Sequence, residues 1–364
     1  MADTSAATGL VVQNWDADFF MESLNANIFK PFMGTAKNSV IQVNEDLTKK
    51  PGDSITFSLV NKLSGSGVTG NSTLEGNEEA MISRSQKVTI DQKRNAVRVP
   101  VLEDQFSAIP LRNAAKDVLL DWNMELNRDD IINALGSILG VVYASASEAN
   151  KDIWLVDNAD RVLFGALVAN AVSNDHSVAL ATIDNTADKL TTAALSLMKR
   201  RAKTSSPKIR PLKPRKGFVT SDSYVLFAPS LLVRDLALET AFLQANREAR
   251  NRGKLNPLFA GADYIWDNIA IYEVEDIAVL SGVGAAGIDV APCYLCGAQA
   301  VGYAVAKRPQ SMEEEFDYGD KQGVAIRQWF KYEKLRFGTD ASTDTGDSKD
   351  HGIHTGFFAA VGDA

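Results

Sequence analysis

The chain of 364 residues is 45% hydrophobic and 23% charged with a net charge of −8, an ordinary globular composition with room for about two or three packed units. That balance excludes a general pull toward nucleic acid or acidic membrane. Two cysteines, Cys293 and Cys296, exclude a disulfide framework; no secretory leader opens the chain and no apolar run predicts a membrane span, so synthesis in the cytoplasm is expected.

Residues 1–37 carry Trp15, Phe19, Phe20, Leu24, Ile28, Phe29, Phe32 and Met33 with Pro31 and Gly34 as breakers, too little chain to bury its own aromatics. Residues 38–102 predict strands. Ile55, Phe57 and Leu59 alternate with Ser54, Thr56 and Ser58, the period of a strand buried on one side, after the turn Lys50-Pro51-Gly52-Asp53. A second extended run carries Val88 and Ile90, then Val97, Val99 and Val101; the change of parity predicts a bulge or break near Gln92–Asn95. The glycine-rich stretch 64–79 between the runs cannot form a core and reads as a long functional loop.

Residues 110–146 predict one long helix, bent or straight, with Pro110 in its first turn. Leu111, Ala115, Val118, Leu119, Trp122 and Leu126, then Ile131, Ile132, Leu135, Ile138, Leu139 and Val142 recur at helical spacing, and Gly136 and Gly140 admit a close neighbour. Further helices are predicted over 186–203 and 230–251, the latter with Ser230 as N-cap and Gly253 after its end. A proline-broken basic linker (205–217) and a short strand (Phe218-Val-Thr) lie between them, residues 264–307 alternate as strands, and Gly338–Gly356 reads as loop. Segregated helical and strand stretches indicate an α+β class.

Candidate chemistry is sparse. Gly282-Val-Gly-Ala-Ala-Gly287 matches a dinucleotide fingerprint, the hallmark of a nucleotide-dependent oxidoreductase, but the chain continues as Ile288-Asp-Val-Ala-Pro292 where a helix is required, so a turn between strands is the better reading. Cys293 and Cys296 in a strand point to opposite faces and read as buried thiols, since redox work or zinc would need a helix start or two further ligands. His351 and His354 sit in a Gly/Asp stretch that reads as surface loop. With His176 they leave no nucleophile–base arrangement, and no P-loop occurs, so no catalytic residue, metal or cofactor is expected. The acids Glu78-Glu79 and Glu313-Glu314-Glu315 read as solvated surface. Residues 199–216 hold nine positive charges and no acid. Arg200, Arg201, Lys203, Lys208 and Arg210 are candidates to face DNA or an acidic patch on a neighbouring subunit, against the plainer reading of an exposed linker. A DNA-associated binding protein acting through this segment is the alternative function.

One ordered set of segments is specific: Asp46-Leu-Thr-Lys-Lys-Pro-Gly-Asp-Ser-Ile-Thr-Phe-Ser-Leu-Val60, Leu63-Ser-Gly-Ser-Gly-Val-Thr-Gly70, Leu74-Glu-Gly-Asn-Glu-Glu-Ala80, Val88-Thr-Ile-Asp91 and Arg94-Asn-Ala-Val-Arg98. Leu120-Asp-Trp122, Lys208-Ile-Arg-Pro211, Asp317-Tyr-Gly-Asp320 and Lys334-Leu-Arg-Phe337 continue it. Together they resemble the major capsid proteins of phages related to coliphage N-four, similar in turn to shell subunits of the Hong Kong 97-type fold. The resemblance implies an N-terminal arm (1–44), an extended hairpin loop (45–102), a peripheral domain with a spine helix (103–209), an axial domain (210–305), and a return to the peripheral domain with a C-terminal tail (306–364). It implies a shell subunit that assembles as hexamers and pentamers of an icosahedral head in the host bacterial cytoplasm and is not an enzyme. Its implied partners are copies of itself, a portal, scaffolding and decoration proteins where a phage has them, and packaged double-stranded DNA held without sequence preference; no membrane is involved. Within that frame Ile55, Phe57, Leu59, Leu74, Glu75 and Glu78 are expected to contact the adjacent subunit.

Overall fold

The structure is a computed structural model and describes residues 28–48, 51–60, 63, 65–81, 83–107, 111–212, 222–250, 263–338 and 348–362. The expected arm up to residue 27, Pro110, the basic residues Lys213, Arg215 and Lys216, the strand at 218–220 and Gly253 lie outside these residues.

In chain order the strands and helices are β1 (Met33–Gly34), β2 (Ile41–Asn44), β3 (Ser54–Val60), β4 (Ser83–Thr89), β5 (Asp91–Pro100), α1 (Val101–Phe106), α2 (Leu111–Gly136), α3 (Glu148–Asp157), β6 (Val162–Phe164), α4 (His176–Ala181) and α5 (Thr192–Thr204). There follow β7 (Tyr224–Ala228), α6 (Ser230–Leu238), α7 (Thr240–Arg250), β8 (Tyr264–Trp266), β9 (Ile269–Glu273), β10 (Val290–Cys296), β11 (Val301–Phe316), β12 (Lys321–Lys334), β13 (Arg336–Gly338), β14 (Ser348–Asp350) and β15 (Ile353–Ala359).

Two sheets organise the molecule. The first runs β1-β2-β11-β12-β5, with β11 and β12 a long antiparallel hairpin and β5 antiparallel at its edge. The second runs β6-β15-β10-β7-β9-β8. Its central strands β7, β10 and β15 are buried along their whole length. Helices cover both faces: Leu195 and Met198 of α5 with Leu232 and Leu236 of α6 pack on one, and Trp154 of α3 and Leu180 of α4 line the other. Strands covered on both sides lose the in–out alternation of a one-sided strand. Tyr-Val-Leu-Phe-Ala (224–228) therefore carries no period-two signal.

Helix α2 joins the sheets. Leu119 packs with Val324 and Ile326 of β12, while Ile131 and Leu135 reach the cluster containing Val225, Phe227 and Tyr294. It ends at Gly136, ten residues before the sequence expectation, because Leu139 (φ 49°) and Gly140 (φ 84°) turn the chain. Apolar spacing continued past the end because Ile138 still packs inward, now from a turn. At Gly136 a β-carbon would lie 2.6 Å from the Tyr294 hydroxyl, which is the close approach its sequence position suggested. The predicted helix over 186–203 begins only at Thr192, where Thr191 caps it. The one over 230–251 is two helices broken at Glu239; Pro229 is the N-cap and Ser230 is already helical.

The expected domain boundaries do not follow the sheets. β6 lies before residue 210 and β15 after residue 305, yet both pair into the second sheet, and β11 opens inside the 210–305 span but belongs to the first. The tail read as loop is corrected too. Its end forms β14 and the start of β15, which lies between β6 and β10. Glycine fits at 356 because the strand is clamped by neighbours: a β-carbon there would lie 3.1 Å from Met198 of α5 and 3.2 Å from the Cys293 sulfur of β10.

Candidate assembly surfaces

The ribbon comes first. β3 and β4 pair antiparallel, with Ile55 opposite Val88, Phe57 opposite Gln86 and Leu59 opposite Arg84. The break predicted near Gln92–Asn95 falls at Ile90, where the chain passes from this ribbon into β5 of the first sheet. It is a change of sheet and not a bulge.

The ribbon's apolar face was expected to lie on a neighbour, and here the structure corrects the sequence reading. Ile55 is 5% exposed and Phe57 6%, packed with Val88 against Ala304, Leu335 and Phe337 of the same chain, and Leu59 borders that cluster. Gln86 fixes the arrangement: its amide nitrogen donates to Glu333 Oε1 (3.0 Å) and to the Lys334 carbonyl (3.1 Å), and its oxygen accepts from the Arg336 amide (2.6 Å). The base of the ribbon is thus core.

The connection beyond it is different. Leu74 (63%), Met81 (69%), Val60 and Leu63 are exposed, as are Glu75 and Glu78. Glu79 accepts from the Gly65 amide at 2.6 Å, tying the two arms of this connection across 14 positions. The tip therefore offers both apolar and acidic groups to solvent.

The basic segment breaks apart in three dimensions. Lys199 is buried, paired with Asp267 at 2.7 Å. Arg201, 8% exposed, donates to the Ala159 carbonyl, which removes it from any DNA- or subunit-facing patch. Lys203 lies 3.8 Å from Asp222. Arg200, Lys208 and Arg210 are exposed. The acids that answer the buried cations stand outside 199–216, where a window of sequence could not find them.

The histidines are not in a surface loop. His354 is fully buried in β15, and burial, followed by the nearby Arg201 and Arg161 guanidiniums, pushes its imidazole down to about 3. His351, set edge-on to Phe337 with ring centroids 5.3 Å apart, is pushed down to about 4 by burial and by Arg161 and Arg210. Both rings are kept neutral by structure, and among the described residues no group of three His, Cys, Asp or Glu side chains could hold a metal. Cys293 and Cys296 are buried in separate core clusters on opposite faces of β10, and burial raises the Cys293 thiol to about 12. The glycine motif at 282–287 holds a single short turn (Ala285–Gly287) and no helix; Ala285 donates to the Ile183 carbonyl at 2.9 Å, closing the loop onto the end of α4. Glu313, read as solvated, is instead gripped by Arg112 and Lys116 of α2, which outweigh the upward pull of burial and lower its carboxyl.

Below the ribbon lies a buried ionic knot that no motif announced. Lys334 (1% exposed) and Asp350 (2%) pair at 2.9 Å; Trp154 Nε1 donates to the same carboxylate at 3.0 Å, and the Asp350 amide donates to Asn158 Oδ1 at 2.8 Å. It joins the end of β12 to β14 and α3, so it serves the fold. No helix among the described residues is long and apolar enough to cross a membrane.

Comparison with known proteins agrees with this architecture. Residues 3–359 match the family model described as phage capsid protein. The major capsid protein of Pseudomonas phage KPP25 is 29% identical over 378 residues, 95% of this chain and 94% of that relative. The Cyanophage Pam1 capsid asymmetric unit superposes with a TM-score of 0.82 at 33% identity over the whole of both chains. The capsid of Ralstonia phage GP4 superposes with a TM-score of 0.72 at 22% identity, covering 92% of this chain and 90% of that one, a likeness of fold.

Proposed function

The chain belongs to the phage capsid protein family, and we propose that its copies join as hexamers and pentamers into an icosahedral head around double-stranded DNA. It is a major capsid protein that forms a phage capsid shell, a structural protein of the virion with the Hong Kong 97-type fold. Closing such a shell requires heterologous contacts that complete rings, and further contacts that join rings. Many modest contacts made at once hold far better than any one of them.

The observation that carries the proposal is the ribbon. Its base is anchored in the chain's own core, while its tip leaves Leu74 and Met81 in solvent with Glu75 and Glu78 beside them. Exposed apolar groups clustered on a projecting element mark an interaction site. The tip reaches the adjacent subunit. Assembly takes place in the host cytoplasm, with a portal and, where the phage encodes them, scaffolding and decoration proteins as partners. The exposed Arg200, Lys208 and Arg210 are left to meet DNA phosphate or a neighbour's acids. Building a shell needs no chemical step, and none is assigned to this chain.

Negative-stain electron microscopy of the expressed full-length protein tests the proposal. Shells, tubes, sheets or ring-shaped capsomers are expected, and a monomer at every concentration refutes it. Deleting 64–71 from the ribbon should leave a subunit with unchanged secondary structure and melting behaviour that no longer forms closed shells. Normal shells from that deletion would remove the tip from the contact.

A further inference from the structure

Three basic side chains meet beneath α5, on the second sheet, with nitrogens left unpartnered. Arg161 precedes β6, and its carbonyl accepts from the Thr355 amide at 2.9 Å, so it stands beside His354 where β6 joins β15. Neighbours across paired strands share a face of the sheet, and so do residues two apart on one strand. His354 therefore shares its face with Gly356, the position that α5 approaches through Met198. Arg201 follows Met198 by three residues, one helical turn along the same side of α5. Its guanidinium is held by the Ala159 carbonyl, two residues before Arg161.

All three are interior: His354 is 0% exposed, Arg161 1% and Arg201 8%. The terminal nitrogens of Arg161 donate to the carbonyls of Asp350, His351 and Pro207, the last just beyond α5. Its Nε, the Nε of Arg201 and both ring nitrogens of His354 have no hydrogen-bond partner among the described residues. The charge is as incomplete as the hydrogen bonding. Asp160 lies 3.8 Å from Arg161, but it also pairs with Lys349 at 3.0 Å and accepts from the Ser206 amide at 2.9 Å. Among the described residues Arg201 has no carboxylate within ion-pair distance. Buried donors and charges left in this way are costly, and in folded proteins water or an ion accounts for them. A buried water would satisfy the N–H groups yet leave the guanidinium charges facing one shared acid.

We infer that a small inorganic anion of halide size binds here, accepting hydrogen bonds from Arg161 Nε, Arg201 Nε and one ring nitrogen of His354. A single negative charge answers both needs at once. It is an acceptor for donors that lack one and a counter-charge for two guanidiniums. The depth of the three side chains keeps out the phosphate of a nucleic acid, so the ligand is a free ion. The bound anion ties α5 to β15 and to the start of β6, three elements far apart in the chain. It is a property of the single subunit and does not depend on how copies assemble.

The test uses the full-length subunit. Unfolding is followed as chloride or bromide replaces gluconate at constant ionic strength, which holds screening fixed. At a halide concentration a hundred times its dissociation constant, the unfolding equilibrium constant should fall about a hundredfold. His354→Leu and Arg201→Met should each lose most of that response, whatever their own melting temperatures. Arg200→Met, on the exposed side of α5, should keep it. An equal halide response in the His354 and Arg201 variants would place the ion elsewhere and overturn the inference. Should those variants fail to fold, a crystal of the parent grown in bromide decides. Anomalous density between the three side chains supports the site, and water alone there overturns it. Bromide density with no halide effect on unfolding would mark an adventitious ion only and overturn it equally.

Discussion

His354 lies in the central strand β15, His351 at the turn before it, and His176 beneath Tyr143, whose hydroxyl is 3.2 Å from its Nε2. Burial holds all three below the ordinary histidine range, His351 and His176 to about 4 and His354 to about 3. An imidazole kept neutral in the fold costs nothing while the unfolded chain is neutral too. Below about pH 6.5 the unfolded chain takes up protons that the fold refuses, so stability falls with pH down to the folded-state values. Melting temperature should therefore drop between pH 6.5 and 4, before most carboxylates are protonated. His354→Phe should flatten that dependence by about one proton; an unaltered slope would show that this ring does not report the transition. The Lys334–Asp350 pair makes a second residue-scale prediction. Asp350→Ala leaves an ammonium buried without its counter-ion, and chemical denaturation should show a loss of about 3–5 kcal/mol.

Helix α2 shows how much an element depends on what it packs against. Its buried line is Ala115, Leu119, Asn123, Asn127, Ile131 and Leu135, a strict spacing of four with two asparagines at its centre. Asn127 Nδ2 donates to the Asn123 carbonyl at 2.7 Å, and the buried Tyr332 hydroxyl donates to Asn127 Oδ1 at 3.3 Å. Apolar periodicity placed the helix and one flank of its face. It included Val118, which is exposed, and passed over both asparagines, because their burial is made tolerable by a tyrosine about 200 positions away. Asn127→Ala should cost about 1–3 kcal/mol by removing one of the partners of that buried hydroxyl, which also meets Tyr303. Tyr332→Phe made in the same chain should add little further loss; full additivity would mean that the two groups do not act together. The ribbon obeys the same logic. Its period-two pattern correctly marked Ile55 and Phe57 as one buried face, but Ala304, Leu335 and Phe337, far along the chain, decided that the cover is internal.

At the scale of the whole molecule the two sheets differ in how complete they are. The second is sheathed by helices on both faces, whereas the first, covered by α2 on one face, is covered on the other only in part, by the ribbon base at Ala304, and leaves Arg98, Lys307 and aromatic rings beyond it. Shell formation should consequently weaken as salt rises, since exposed charge pairs are screened. With a gluconate salt, subunit melting should change little over the same range, and light scattering against melting curves separates the two effects. The sequence by itself determined the α+β class, the ribbon's alternation, the long helix, the opposed thiols of Cys293 and Cys296, and the ordered segments shared with phage capsid proteins. Each is either local periodicity or a match in order along the chain. Tertiary structure alone decided that Arg201 and His354 are interior, that the Gly- and Thr-containing end of the chain is a central strand, and that Arg161 stands beside His354. Those outcomes depend on which distant strand lies alongside. Pairing between residues hundreds of positions apart leaves no period in the sequence for either partner to display.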